Sequence, residues 1–456
     1  MGDVNIQFPE DKEIEKEVVK LLSDLIKIDT TNPPGNETKA AEYLFDIFNN
    51  EGIESEIIES AENRGNFVAR IKGKSPGKRI VIMAHLDVVP ADPKEWSVDP
   101  FSGTVKDGFV WGRGALDDKG LVAQEAWTML RLAREGYKPE RGELIFIAEA
   151  DEEKGGTYGA KWLAENRPDL FNVDYLITEG AGIATEIAGK HKYTVEVAQK
   201  GVYWTKLIIK GEPGHGSVPK LTDSAIVKAA KIVERIGKYK APIEVNEIVK
   251  NYIFEFSEHD EEIHKFVTSK QIDDDLIQII AKKNPIIAAQ INALVRDTIT
   301  PTIFKSGYKE NVIPGSAEVV FDARLLPGHD FDDLMKHIKE ALGEALYSEI
   351  AKIEPITQQK SNQSPYKDVE FYKAIEQVLK MLDDKAVVIP FMLTGGTDSR
   401  FFREKGVKAY GFQPIPPGDM PVELALRLIH GIDERIPIKS LVFGAKFLYG
   451  LVKISF

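Results

Sequence analysis

His85-Leu86-Asp87 follows the apolar run Ile80-Val81-Ile82-Met83-Ala84. Residues two apart in an extended chain face the same way, so an imidazole and a carboxylate are presented together. A metal-ligating histidine with its orienting carboxylate has this form, and so does an ordinary polar strand exit. Gly112-Arg113-Gly114-Ala115-Leu116-Asp117-Asp118-Lys119-Gly120 reads as a glycine-rich turn opening a helix, with Asp117 either a cap at the positive dipole end or a ligand. Glu149-Ala150-Asp151-Glu152-Glu153 follows the apolar strand Leu144–Ala148. Such a run is a solvated charged turn, or a pair in which one glutamate binds a cation while its neighbour takes protons. Glu179, in Thr178-Glu179-Gly180, poses the same choice. His430, in His430-Gly431-Ile432-Asp433-Glu434, is a helix-end histidine or a ligand. The chain contains no cysteine, so any metal must be held by histidine nitrogen and carboxylate oxygen.

Elements of two kinds must position these groups. Up to about Thr178, helical periodicity over Glu13–Ile28, Glu37–Asn50 and Asp118–Glu135 alternates with strand-like runs at Ser55–Glu59, Phe67–Ile71, Arg79–Ala84, Leu144–Ala148 and Tyr175–Thr178. That alternation predicts an α/β layered domain, whose ligands bind beyond the carboxyl ends of the strands. Around Lys190 the pattern changes to β-α-β-β-α-β, interrupted by a polar stretch over Lys240–Thr298. The expected division is a catalytic domain over residues 1–192, a lid over 193–360 carrying the insertion near 240–298, and completion of the catalytic domain over 361–456. No GxGxxG or GxxxxGK[ST] phosphate loop and no internal repeat occur.

Taken in order, these motifs, with Gly214-His215-Gly216-Ser217, Asn311-Val312-Ile313-Pro314 and Asp322-x-Arg324, strongly resemble the co-catalytic dizinc metallopeptidase family of glutamate carboxypeptidase, aminoacylase, acetylornithine deacetylase and succinyl-diaminopimelate desuccinylase. The resemblance covers almost the whole chain. It implies a zinc-exopeptidase-like catalytic domain, a mixed sheet flanked by helices, with an inserted ferredoxin-like α+β lid that also dimerises. It further implies two Zn²⁺ per subunit, or Co²⁺ or Mn²⁺ in their place. His85 and Glu179 would hold one ion, Glu153 and His430 the other, and Asp117 would bridge them across that family's cis Asp117-Asp118 peptide. By the same resemblance Asp87 orients His85, Glu152 is the general base, and His215 reaches the active site of a partner subunit in a homodimer. Asn311 and Arg324 would contact substrate, and Arg400, in Gly395-Gly396-Thr397-Asp398-Ser399-Arg400, would anchor its carboxylate, a task suited to a planar guanidinium. The implied reaction is hydrolysis of the amide bond of a small peptide or N-acyl amino acid. The competing class is a metal-dependent binding protein on the same scaffold, which would have lost the base or a ligand; none is missing. The long lid segment points to the larger carboxypeptidase and acylase branch.

Composition narrows the partners. With 72 acidic against 59 basic side chains the formal charge is −13, which disfavours nucleic acid and acidic membranes as partners. No apolar run approaches the ~18–20 residues that span a bilayer, and the acidic start lacks a signal-peptide pattern, so a cytoplasmic location is expected. His191, His259, His264, His329 and His337 read as structural or surface groups.

Overall fold

The computed structural model describes residues 6–219 and 223–456. The chain divides into two compact units: Met1–Val197, Ser364–Phe391 and Thr397–Phe456 form the first, Ala198–Gln363 and Met392–Gly396 the second.

The first unit is a mixed sheet between helices. Glu143–Glu149, Arg79–His85, Tyr175–Thr178 and Lys408–Gly411 lie side by side and parallel. The first three are buried along almost their full length, as parallel strands covered on both faces must be. Gly65–Lys72 and Glu54–Glu59 extend one side antiparallel. Val81, Met83, Ile145 and Ile147 join a core with Leu163 and Phe402, from the helices Ala160–Asn166 and Ser399–Glu404. Phe146, adjacent to Ile145 and Ile147, faces the other way, with its ring 5.9 Å from Phe48 of the helix Thr38–Asn50. Emptying that position would cost about 3–5 kcal/mol. The helix Lys119–Arg134 is buried nearly throughout and packs against both Asp11–Ile26 and Ile438–Ser455.

In the second unit the sheet order is Thr298–Ser306, Ser316–Leu325, Gly201–Lys210, Ile350–Gln359, with every neighbouring pair antiparallel. With the helices Ala225–Lys238 and Phe331–Tyr347 this is a ferredoxin-like β-α-β-β-α-β arrangement. Strict alternation in Ser316–Leu325 sends Val319, Phe321 and Ala323 into a core with Leu207, Ile232 and Ile338. The last strand, Ile350–Gln359, is polar and exposed over much of its length, which an edge strand tolerates. The polar insertion is helical: Glu247–Ser257, Glu261–Ser269, Asp274–Lys283 and Pro285–Leu294. Asn246, Asp260, Asp273 and Asn284 cap these helices with their side chains.

Candidate active site

Parallel alignment brings three strand ends to one edge of the first unit's sheet. His85 lies opposite Glu149 in the ladder, and the Leu86 N–H donates to the Glu149 carbonyl at 2.7 Å. Glu179 follows Thr178, the last residue of its strand.

The side chains converge there. His85 Nδ1 donates to the Asp87 carbonyl at 2.9 Å, which leaves Nε2 facing Asp117 Oδ1 at 3.0 Å. Asp117 Oδ2 lies 3.0 Å from His430 Nε2, which in turn lies 3.1 Å from Glu153 Oε2. Asp117 therefore sits between two imidazoles. Asp118 and Glu179 approach His85 as well, with ligand atoms of the three within 4.8 Å of one another. The Asp117–Asp118 peptide is cis. Asp118 occupies the cap position of Lys119–Arg134 but makes no capping hydrogen bond.

Buried polar contacts fix this arrangement. The Asp87 carboxylate accepts the N–H groups of Glu152 and Glu153 at 3.0 and 3.2 Å and the Asn32 amide at 2.8 Å, while its Oδ1 lies 3.4 Å from His85 Nδ1. It thus holds the turn that carries both glutamates as well as facing the histidine. Asp151, in a left-handed conformation at φ 70, accepts from Asn32 at 2.9 Å and Arg64 at 2.7 Å. Arg64 also grips Glu37 with two bonds of 2.8 Å. Glu434 accepts the Leu116 and Asp117 N–H groups at 2.7 and 3.1 Å, and its other oxygen takes the Gly114 N–H and Arg113 Nη1. Sequence reasoning assigned no part to Glu434, Asp151, Arg64 or Asp398. The available signal was adjacency: Glu434 closes the motif that begins at His430, and Asp151 precedes Glu152.

The electrostatics follow from burial with too few cations. Burial, then the charges of Glu179 and Asp398, push the Glu152 pKa well above the ordinary carboxylate range. Burial and Asp117 do the same for Glu179. Burial opposes ionisation of Asp117 too, but hydrogen bonds from His430 and His85 hold it below the usual range. Hydrogen bonds to Asp117 and Glu153 push His430 up to about 10. Two imidazoles do not neutralise Asp117, Glu153, Glu179 and Glu152, and the buried Glu153 Oε1 has no hydrogen-bond partner. A set of nitrogen and carboxylate donors with surplus negative charge fits divalent cations of the zinc class.

The other expected residues fall in two places. Arg400 is buried in the first unit, with Nη1 donating to the Thr397 carbonyl at 2.9 Å and Nη2 lying 2.8 Å from Asp398 Oδ1. In the second unit the two-residue strand Gly214–His215 pairs with Val312–Ile313, and the Gly216 N–H donates to the Asn311 carbonyl at 2.9 Å, so His215 and Asn311 are neighbours. His215 Nδ1 accepts from the Ser217 hydroxyl at 2.7 Å. Arg324 forms a two-bond pair with Asp322 at 2.6 and 2.9 Å.

Residues 81–454 match the model of peptidase family M20/M25/M40. Human N-fatty-acyl-amino acid synthase/hydrolase PM20D1 is 27% identical over 469 residues, spanning 98% of this chain and 89% of that protein. Among solved structures, the M20 family metallo-carboxypeptidase Sso-CP2 from Sulfolobus solfataricus superposes with a TM-score of 0.71 at 21% identity, covering 96% of this chain and 99% of that one. The Bacillus subtilis YXEP protein, described as a dinuclear metal binding peptidase, does so with a TM-score of 0.63 at 16% identity, covering 97% and 99%.

Proposed function

This chain belongs to peptidase family M20/M25/M40 and is a metallopeptidase-type hydrolase of peptide or N-acyl amino-acid bonds; on that premise we propose that it is a dinuclear zinc enzyme with Glu152 as its general base. The observation that carries the reading is the chain of contacts from His85 through Asp117 to His430 and Glu153, with Glu179 beside His85. In this reading His85 and Glu179 would hold one ion and Glu153 and His430 the other, with Asp117 shared between them and cobalt or manganese as substitutes for zinc. When bound, such ions supply Lewis acidity toward a carbonyl oxygen and toward water.

The protein's own groups do the rest. Asp87 takes the Nδ1 side of His85 and so keeps Nε2 aimed at Asp117. Glu152, its proton affinity raised by burial and by Glu179, accepts a proton from the attacking water and returns it to the leaving amine. Nη2 of Arg400 is paired with Asp398 and Nε makes no hydrogen bond, so Arg400 joins the reading as a carboxylate anchor on the resemblance of its motif. His215, Asn311 and Arg324 join the reading as substrate residues on the resemblance of their motifs, with a homodimer formed through the second unit. Exposed Trp204, Ile303, Phe304 and Ile356 on that unit support such an interface. Among the described residues no helix is long and apolar enough to cross a membrane.

The test is a panel of dipeptides and N-acyl amino acids offered to zinc-reconstituted protein, with release of free amine as the readout. Cleavage within one of these two classes is expected. Binding across the panel without hydrolysis, with the centre in the first unit loaded with zinc, would replace the enzyme by a binding protein.

A further inference from the structure

The second unit contains a separate group of metal-capable side chains. Asp297 precedes the strand Thr298–Ser306, His329 lies in the turn after Ser316–Leu325, and His337 is on the helix Phe331–Tyr347. Asp297 Oδ2 lies 2.6 Å from His329 Nδ1 and 2.9 Å from His337 Nε2. Asp297 and His337 are buried; the His329 side chain keeps 20% exposure, which leaves an approach from solvent.

The outer ring nitrogens decide what the inner ones can be. His337 Nδ1 lies 3.0 Å from the Tyr239 hydroxyl, whose own proton goes to Glu340 Oε2 at 2.7 Å. The tyrosine oxygen must therefore accept, and His337 must carry its proton on Nδ1. His329 Nε2 lies 3.3 Å from Glu244 Oε2, so its proton belongs on that side. In their neutral forms both rings then aim an unshared electron pair at the same carboxylate oxygen. Only a cation between them makes that favourable: either one proton on each ring, or one metal ion for both. Backing of a ligand histidine by a carboxylate or hydroxyl on its far nitrogen is the usual support of a metal site. Around a tetrahedral zinc the donor atoms would stand about 3.3 Å apart, so each would move outward by less than about 1 Å from the observed 2.6 and 2.9 Å.

We propose that Asp297 Oδ2, His329 Nδ1 and His337 Nε2 form a structural site for a single divalent transition cation of the zinc class, completed by water. One such ion replaces two imidazolium protons, leaving both histidines neutral and their outer hydrogen bonds intact. Its place in the fold gives it a task. Asp297 and Glu244 stand at the two ends of the helical insertion, where the Glu244 N–H also donates to the Val295 carbonyl at 2.7 Å. Asp297 Oδ1 accepts the Leu326 N–H at 2.7 Å, at the end of the strand that carries Arg324. Lys200, next to the strand Gly201–Lys210, donates to the Ala293 and Arg296 carbonyls at 2.9 Å each and so ties the end of the insertion to the same sheet. The ion would fasten the insertion to the sheet.

Zinc is counted by mass spectrometry on full-length protein loaded with ZnCl₂ and dialysed against metal-free buffer. The His329→Ala/His337→Ala pair should hold one zinc per chain fewer than the wild type. Equal counts would overturn the site. A second measurement covers failure of that variant to fold: zinc-edge anomalous maps from wild-type crystals grown after the same dialysis. A peak bounded by the three named atoms is expected. Density at the carboxylate-rich centre alone would show that protons fill the lid cluster, and the proposal would fall. Both counts compare this cluster with itself, so they stand whatever the first unit binds.

Discussion

Asp117 in the first unit and Asp297 in the second are each approached by two histidines at hydrogen-bond distance, yet the two surroundings differ. Around Asp117 stand more acids, Glu153 and Glu179 among them, and the buried Glu153 Oε1 is left without a partner. Around Asp297 every polar atom of both rings and of the carboxylate meets one partner or more. Unpaired buried polar atoms are costly, and they persist where ligands or chemistry require them. The contrast teaches that the same His–Asp–His geometry can stand among surplus carboxylates or within a polar cluster whose atoms all meet partners, and the two roles proposed above follow that difference.

Four measurements would break or sharpen this contrast. The largest effect is expected at Glu152: the Glu152→Gln enzyme should lose about 10²–10⁴-fold in kcat with zinc content unchanged, measured on the best substrate of the panel. Retained turnover would leave the surplus carboxylates of the first unit unexplained. Next comes Arg64→Met, which strands the buried acids Glu37 and Asp151. A loss of about 3–5 kcal/mol is expected in chemical denaturation. Glu434→Ala removes the acceptor that holds the Asp117 loop and should weaken zinc binding about 10–100-fold by competition with a chelator, with a smaller effect on fold stability. Unchanged affinity would mean that the loop needs no such support.

The smallest effect concerns pH. Burial holds the Lys200 pKa down at about 7, against 10.5 in the unfolded chain. Between those values the unfolded chain binds a proton that the folded one lacks, so stability should rise with pH across this window. The slope is at most about 1.36 kcal/mol per pH unit. Denaturation midpoints at pH 7.5 and 9.5 check the sign, and Lys200→Met should flatten the dependence.

The sequence made the α/β layering and the ferredoxin-like plan legible because both rest on local periodicity: unbroken apolar strands in the first unit, alternation in Ser316–Leu325 of the second. It also brought out His85, Asp117, Glu153 and Glu179, because each follows a recognisable strand or opens a helix, whereas His430, at a helix end, stood out only through the family resemblance. What it hid was long-range partnership. Nothing near Arg64 announces Glu37 and Asp151, and nothing near Leu116 announces Glu434. His329 and His337 read as surface or structural groups because Asp297, their shared partner, sits in a segment whose polarity looked like solvent exposure. The helices of the insertion were missed for a similar reason: its polar surface masked the buried stripe of Ile248, Ile253, Leu276 and Ile291.

Glu434 ties the loop bearing Asp117 to a stretch more than three hundred residues later in the chain, and His430 comes from the same stretch. A polypeptide emerging from the ribosome therefore completes most of its sheet long before it can close the centre. Until His430 arrives, Asp117 lacks one of its two imidazoles and Glu153 lacks the imidazole that faces it. Chains ending between Gly411 and His430 should keep every strand of the first unit's parallel core yet lack both His430 and Glu434 at the centre.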